Sequence, residues 1–279
     1  MSLASDFLDA MGAGSRERAR ATLADSSLAA WRRRAAEQAP APPLALSPTG
    51  FDLVAEVKFT SPAEGTLGPA SPEAALVRAR DYARAGAAAV SILTEPTRFG
   101  GALEHLGAAA DLDVPVLRKD FLVDPVQVFE ARAAGAGGVL VIARLLEDGP
   151  LDELLAAARE CGLFVLLEAF DAADLDRVLP RTTAADDTAP VLPGLNSRDL
   201  VTLRVAAGRL VELAPRLAPH GRAVAESGLL DAAAVAEVAT AGYGLALVGT
   251  ALMRAPDPAA ELTRLLLAGR RARREEVAR

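Results

Sequence analysis

The segment LVAEVK, residues 53–58, is an apolar run of strand length that ends on Glu56 and Lys58. Similar runs recur along the chain and also stop on charged, amide or small residues. Their endings read PVLRKD (115–120), VLLEAF (165–170), PGLNSRD (193–199), VAESG (224–228) and LALVGT (245–250). An Ala-rich stretch of helical length follows nearly every run. This alternation of strand and helix predicts a parallel sheet covered by helices.

Two further apolar runs, AAVSILT (88–94) and GGVLVIA (137–143), bring the pattern to eight strand–helix units. A chain of 279 residues is of the right length for a single closed α/β barrel. We therefore predict the α/β class and a single (β/α)8 TIM barrel. In such a barrel the carboxyl ends of all strands meet at one rim, where active sites lie.

The sixth strand, VLPGLN (191–196), is unusual because Pro193 cannot donate a hydrogen bond to a ladder. The segment before it, residues 180–190, is also longer and more polar than the other connections. The eightfold count and the NSRD that follows favour a strand at this position, and we expect a local distortion in it.

The first fifty residues differ from the repeat. Residues Ser2 to Gln38 carry apolar side chains at helical spacing, and the Pro-rich segment 39–50 cannot continue a helix. So short and weakly periodic a segment would not hold a core of its own. We predict one domain, 1–279, in which residues 1–50 are a helical extension and linker that pack on the barrel across one mouth.

The composition excludes several classes of protein. Apolar residues make up 51% of the chain, which excludes disorder, and a net charge of −7 argues against nucleic-acid binding. No apolar run reaches membrane-spanning length, and no signal peptide is evident. The only cysteine, Cys161, cannot form an internal disulfide, which favours a reducing compartment. We expect a cytoplasmic protein without an obligatory protein partner.

Glu56 and Lys58 lie two residues apart in one strand, so their side chains point the same way. On an exposed strand they would be a surface pair. Helices cover the outside of a parallel barrel, however, so we expect both side chains inside it. There each charge would favour the ionised form of the other.

The other strand ends supply a lysine, two glutamates and an asparagine. Arg118 and Lys119 point to opposite faces, and the alternation does not decide which of them enters the mouth. Any one such residue is as easily a capped strand end as a catalytic group. The repetition favours an acid–base constellation of Glu56, Lys58, Lys119, Glu168, Asn196 and Glu226.

An anion site is predicted beside these groups. Ser227 and Gly228 follow the seventh strand, and Gly249 and Thr250 follow the eighth. Small residues let backbone N–H groups approach a ligand, and the loops after strands seven and eight bind phosphate in many barrels. The alternative, that these glycines form tight turns only, is less plausible for both loops together.

No metal or redox cofactor is predicted. His105 and His220 fall away from strand ends with no acidic or histidine neighbour at ligand spacing, so we expect both at the surface. No Gly-rich dinucleotide motif follows the first strand, which disfavours nicotinamide and flavin enzymes.

The motifs AEVKFTSPAEG, SILTEPTRFGG, VLRKDFLVD, LLEAF, GLNSRDL, VAESG and LVGTALMR, in this order, resemble those of the indole-3-glycerol phosphate synthase family over roughly residues 52–260. The resemblance implies a barrel enzyme of tryptophan biosynthesis. Such an enzyme converts 1-(2-carboxyphenylamino)-1-deoxy-D-ribulose 5-phosphate to indole-3-glycerol phosphate with loss of carbon dioxide and water. It uses no cofactor, and its partner is the small phosphorylated substrate.

The resemblance adds substrate-binding residues to the six catalytic candidates: Ser61, Phe99, Phe121, Arg198 and Ser227, with Gly228, Gly249 and Thr250 around the phosphate. The chain departs from the family pattern at Phe59, Arg98, Ala102, Ala169-Phe170 and Pro193. These departures bear on substrate affinity, loop packing and rate, and not on the type of reaction.

The reaction assigns roles to these residues. We expect Lys119 to act as the general acid of ring closure, and Glu168, with Glu56 and Lys58, to serve dehydration. Which glutamate serves which step stays open. Two other readings remain: a related phosphoribosyl-sugar isomerase, whose strand ends would carry Cys or Asp, and a non-catalytic barrel that binds a phosphorylated ligand.

Overall fold

The computed structural model describes residues 3–47, 50–184, 187–199, 204–206, 208–220 and 222–277. Eight parallel strands form a closed barrel, in which each strand pairs with its neighbour in sequence and the first pairs with the last. They are β1 Asp52–Val57, β2 Ala89–Leu93, β3 Val116–Lys119, β4 Gly138–Ile142, β5 Phe164–Ala169, β6 Val191–Asn196, β7 Val224–Glu226 and β8 Leu245–Val248. The predicted (β/α)8 barrel is confirmed.

Helices α1 Leu3–Asp25 and α2 Leu28–Glu37 precede the barrel. The others are α3 Pro72–Arg84, α4 Pro96–Phe99, α5 Leu103–Ala108, α6 Pro125–Ala133, α7 Asp148–Glu160, α8 Ala172–Val178, α9 Arg209–Leu217, α10 Ala232–Thr240, α11 Thr250–Arg254 and α12 Pro258–Val277. Side-chain caps begin several of them: Ser71 accepts from the Ala74 N–H, and Asp124 closes a capping box with Gln127. Among the described helices, none is long and apolar enough to cross a membrane.

Side chains alternate between the two faces of every strand. One set packs outward against the helices in a large apolar core, to which Val116, Val139 and Val165 belong. The other set fills the inside of the barrel in a separate apolar cluster that includes Val54, Leu117, Leu140, Phe164, Leu166, Leu192, Val224 and Leu245. The polar ends of the strands continue this inner set toward the carboxyl rim.

Strand β6 is regular in spite of Pro193. Its pairing with β5 runs without a break from Val191 to Leu195, so the expected distortion is not found. On the other side β7 begins opposite Gly194, one residue after the proline. Pro193 therefore precedes that ladder, which explains how the strand tolerates it. Residues 185 and 186 of the preceding connection lie outside the described residues.

The N-terminal extension contacts the inner apolar cluster through its first helix and through its linker. Leu8 and Met11 of α1 join the inner cluster together with Phe121. Leu44 and Leu46 of the linker pack against the same cluster. Farther along α1, Arg18 forms an ion pair with Asp120, the residue that follows β3. Ser2 and residues 48–49 of the predicted extension lie outside the described part of the chain.

Candidate active site

A pocket opens at the carboxyl end of the barrel, and every predicted site residue lines it. These residues are Glu56, Lys58, Ser61, Phe99, Lys119, Phe121, Glu168, Asn196, Arg198, Glu226, Ser227, Gly228, Gly249 and Thr250. They come from β1, β3, β5, β6 and β7, from the loops that follow strands, and from the helices α4 and α11. The closed barrel thus brings together groups that are up to 194 residues apart in the chain.

Of the two neighbouring cations on β3, Lys119 is the one that enters the pocket. Arg118 points outward, where its guanidinium donates to Glu130 Oε2 at 2.6 Å and to Asp120 Oδ2 at 3.3 Å. Arg118 is therefore neutralised between the barrel and α6. This settles the choice that the alternation of side chains left open.

Two carboxylates face the ammonium group of Lys119. Its Nζ atom lies 3.3 Å from Glu168 Oε2 and 3.6 Å from Glu226 Oε2. Burial alone would lower the pKa of Lys119, but Glu168, Glu226 and Glu56 together raise it above its ordinary value. The side chain therefore stays protonated at neutral pH and is available as an acid.

Glu56 and Lys58 form an ion pair inside the barrel, with 3.0 Å between Nζ and Oε1. Burial favours the neutral form of Glu56, yet the charges of Lys58 and Lys119 outweigh it and lower the pKa of Glu56. Glu56 is thus an ionised carboxylate, as the two-residue spacing in β1 predicts.

Asn196 orients the carboxylate of Glu168. Its Nδ2 donates to Glu168 Oε1 at 3.2 Å, while its Oδ1 accepts from the backbone N–H of Arg198 at 2.8 Å. The amide is held from both sides, so the two oxygens of Glu168 face different partners, Asn196 and Lys119.

Glu226 differs from the other two glutamates. Its side chain is only 1% exposed, and no described group donates a hydrogen bond to either carboxyl oxygen. Burial and the nearby carboxylate of Glu168 raise the pKa of Glu226 well above its ordinary value, in spite of Lys119. The pocket therefore holds one glutamate, Glu226, whose pKa is raised and another, Glu56, whose pKa is lowered.

The loop after β7 adopts an unusual backbone conformation. Ser227 has φ 67° and Gly228 has φ 76°, and Ser227 is the only non-glycine residue with positive φ in the described ranges. Ser197 stabilises this turn, since its Oγ donates to the carbonyl of Ser227 at 3.0 Å. Gly249 and Thr250 follow β8 on the adjacent strand, at the start of α11.

Aromatic side chains form one wall of the pocket. Phe99 is carried by α4, whose first turn donates three backbone N–H groups to the buried carboxylate of Glu95. Phe121 lies beside it, with ring centroids 6.2 Å apart. Phe7 of α1 packs edge-on against Phe121, also at 6.2 Å, and lines the pocket. In the sequence, only the helical spacing of Phe7, Leu8 and Met11 indicates that Phe7 is packed against another part of the chain.

Two findings differ from the expectations. His105 is buried, because its ring packs edge-on against Phe59 at 5.5 Å, so its predicted surface position is wrong. Glu64, in the loop after β1, forms an ion pair with Arg254 of α11, which the sequence did not predict. This pair links the loop of Ser61 to helix α11, which begins at Thr250.

Known proteins resemble this chain over most of its length. Residues 15–265 match the family model described as indole-3-glycerol phosphate synthase. A protein of that name from Salinibacter ruber is 41% identical over 229 residues, which cover 81% of this chain and 82% of that protein. Another, from Kineococcus radiotolerans, is 40% identical over 270 residues, or 94% of this chain and 95% of its own.

Among solved structures, 3-hexulose-6-phosphate synthase from Salmonella typhimurium is similar with a TM-score of 0.59 and 16% identity, covering 80% of this chain and all of that one. At this identity the likeness shows the barrel fold alone. The family match spans most of the chain, and the two relatives align over 82% and 95% of their own length. The chain therefore belongs to the indole-3-glycerol phosphate synthase family.

Proposed function

We propose that the protein closes the indole ring of 1-(2-carboxyphenylamino)-1-deoxy-D-ribulose 5-phosphate and releases carbon dioxide, water and indole-3-glycerol phosphate. It is then a carbon–carbon lyase of tryptophan biosynthesis that acts on a small phosphorylated substrate in the cytoplasm. The observation that carries the proposal is the position of Lys119 Nζ between the carboxyl groups of Glu168 and Glu226, in a pocket bordered by the Ser227–Gly228 turn.

Binding of the substrate uses opposite sides of the pocket. The phosphate binds near Ser227, Gly228, Gly249 and Thr250, where small residues and backbone N–H groups suit an anion. The aromatic ring stacks on Phe99 and Phe121. Lys58 holds the substrate carboxylate, and Ser61 and Arg198 contribute further polar contacts. This arrangement stretches the substrate across the mouth of the barrel.

Ring closure joins the ring carbon that bears the carboxylate to the ketone carbon. Lys119 protonates the ketone oxygen as the bond forms, which contributes roughly 10²–10⁴-fold as general acid catalysis. The nitrogen of the new ring becomes an iminium. Its positive charge favours the ionised form of the nearby Glu226, and this carboxylate stabilises the iminium. Loss of carbon dioxide then returns the electrons of the broken bond to the iminium.

Dehydration completes the reaction. Glu168 removes the proton that must leave for the second double bond to form, and the hydroxyl departs as water with a proton from a lysine. Asn196 keeps Glu168 in position through the 3.2 Å hydrogen bond, and the Glu56–Lys58 pair maintains the charge balance. Lys119 and Glu168 exchange protons with the substrate in this scheme, and they lie 3.3 Å apart at their charged atoms, so both can reach one bound molecule.

The direct test is to incubate the pure protein with the carboxyphenylamino substrate and to follow indole absorbance and fluorescence. We expect product from the wild type and none from a folded Lys119→Met variant. An unchanged rate in that variant would reject the role of Lys119, and a wild type without product would reject the proposed reaction.

A further inference from the structure

Gly194 of β6 lies next to Glu226 of β7 inside the barrel. A Cβ atom placed on Gly194 would lie 2.4 Å from Glu226 Oε1 and 2.8 Å from Leu166 Cδ1. Real Cβ atoms essentially never approach other atoms more closely than 3.0 Å. The carboxylate of Glu226 therefore occupies the space that any side chain at position 194 would fill.

Backbone conformation does not explain this glycine. Gly194 is not among the residues with positive φ, and it pairs regularly with both neighbouring strands. Other residues adopt such a strand conformation freely, and glycine inside a strand lowers stability. The absence of a side chain is thus needed for the neighbouring carboxylate and not for the chain path.

Packing also has to hold Glu226 in place. Glu168 receives a hydrogen bond from Asn196, and Glu56 contacts Lys58 at 3.0 Å. Glu226 accepts no hydrogen bond from the described residues, and its nearest cation, Lys119, is 3.6 Å away. Besides the charge of Lys119 and the contact with the Glu168 carboxyl group, the shape of its surroundings therefore helps to decide where this carboxyl group lies.

We propose that Gly194 is a positioning residue, whose missing side chain leaves the recess that holds the carboxyl group of Glu226 beside Lys119 and Glu168. The inference rests on the proposed function for its catalytic consequence. Gly249 gives Glu56 similar room, since a Cβ there would lie 2.3 Å from Glu56 Oε1. The two glycines clear space for two of the three glutamates.

The test compares Gly194→Ala with Gly138→Ala, a matched control. A Cβ at Gly138 would lie 2.3 Å from the ring of Phe164, so this variant overpacks the same barrel interior but touches no charged group. The carboxyl carbon of Glu226 is titrated by ¹³C NMR in glutamate-labelled protein, with its signal assigned through Glu226→Gln. The pH dependence of kcat is measured on the same variants.

We expect Gly194→Ala to lower the pKa of Glu226 toward its ordinary value, because the displaced carboxylate moves toward water and Lys119. We also expect kcat to fall roughly 10–100-fold, as misplacement of a reacting group implies, with little change in KM. Gly138→Ala should leave the titration and the pH profile as in the wild type.

An unchanged titration in Gly194→Ala, or an equal shift in Gly138→Ala, would overturn the inference. If Gly194→Ala does not fold, the double variant Gly194→Ala/Glu226→Ala decides: recovered folding supports the inference, and no recovery contradicts it. The titration does not depend on turnover. A wild type that forms no indole product would thus count against the proposed reaction and not against the role of Gly194.

Discussion

Two successive layers of side chains fill the barrel, and the same strands supply both. In the inner layer lie Val54, Leu117, Leu166 and Val224, all buried and apolar. Two residues farther along the same strands lie Glu56, Lys119, Glu168 and Glu226, which meet at the pocket. The step of two residues replaces dispersion and apolar burial by charge pairing. We infer that stability and chemistry can be changed separately on one strand.

The largest expected effect is a loss of activity from a change in the charged layer, which comprises Glu56, Lys119, Glu168 and Glu226. Glu168→Gln keeps the shape of the side chain but removes the base, so we expect kcat/KM to fall by about 10²–10⁴-fold. Lys119 keeps Glu226 and Glu56 as counter-charges, and the fold should survive. Indole fluorescence measures the rate and circular dichroism the fold. A loss below tenfold would show that Glu168 is not the base.

Leu117→Ala should give the opposite result on β3, two residues before Lys119. Leu117 is fully buried in the inner cluster, so its truncation should lower the free energy of unfolding by about 2–5 kcal/mol. Well below the unfolding midpoint, kcat/KM should change little. Urea unfolding and the fluorescence assay measure the two quantities. A large loss of rate in the folded variant would contradict the separation of the layers.

The sequence predicts which side chains of a strand share a face. At β3 it does not predict which face points into the barrel. Alternation in LVAEVK fixes that Glu56 and Lys58 share a face, and the covering helices place that face inside. At β3 the same alternation leaves Arg118 and Lys119 equivalent. Only Glu130 on α6 and Asp120 after β3 decide that Arg118 points outward. Those contacts depend on packing between elements, which no strand pattern contains.

Contributions from outside the repeat were missed for a similar reason. The apolar spacing of Phe7 predicts a buried helix face and does not identify what covers it. His105 lies in the short helix α5, and only its contact with the ring of Phe59, which follows β1, reveals its burial. The steric role of Gly249 beside Glu56 can likewise be recognised only in the structure. In the sequence, a glycine that makes room for a ligand cannot be distinguished from one that makes room for a neighbouring side chain.

A smaller effect distinguishes the glutamates within the charged layer. The pKa of Glu226 is raised in the folded protein, so stability is lost as the pH rises from the ordinary glutamate pKa through the folded value. Gln stays neutral, so Glu226→Gln should raise the free energy of unfolding at neutral pH. This gain should vanish below about pH 4. Urea unfolding across this range measures it.

Glu56→Gln is the control with the opposite sign. The pKa of Glu56 is lowered in the fold, so its charge stabilises the protein above the ordinary pKa, and this contribution is lost as the pH falls through the folded value. The variant should be less stable than the wild type at neutral pH, by a difference that shrinks in acid. If both Gln variants were more stable than the wild type at neutral pH, or both less stable, the predicted difference between Glu226 and Glu56 would be wrong.

The smallest expected effect lies outside both layers. Glu64 pairs with Arg254, whose side chain is 60% exposed, so Glu64→Ala should lower the free energy of unfolding by less than about 1 kcal/mol. Thermal unfolding in low and high salt checks this, since screening should reduce the difference. A larger loss would mean that this loop contact contributes as much as the inner layer.

The central claim is that the charged layer faces one bound substrate, and a crystal structure of the protein with indole-3-glycerol phosphate tests it most directly. We expect the indole against the rings of Phe99 and Phe121, the phosphate at the loops after β7 and β8, and Lys119 within about 3 Å of a polar atom or one water of the ligand. Product bound in another cleft, or beyond the reach of Lys119 and Glu168, would contradict the account.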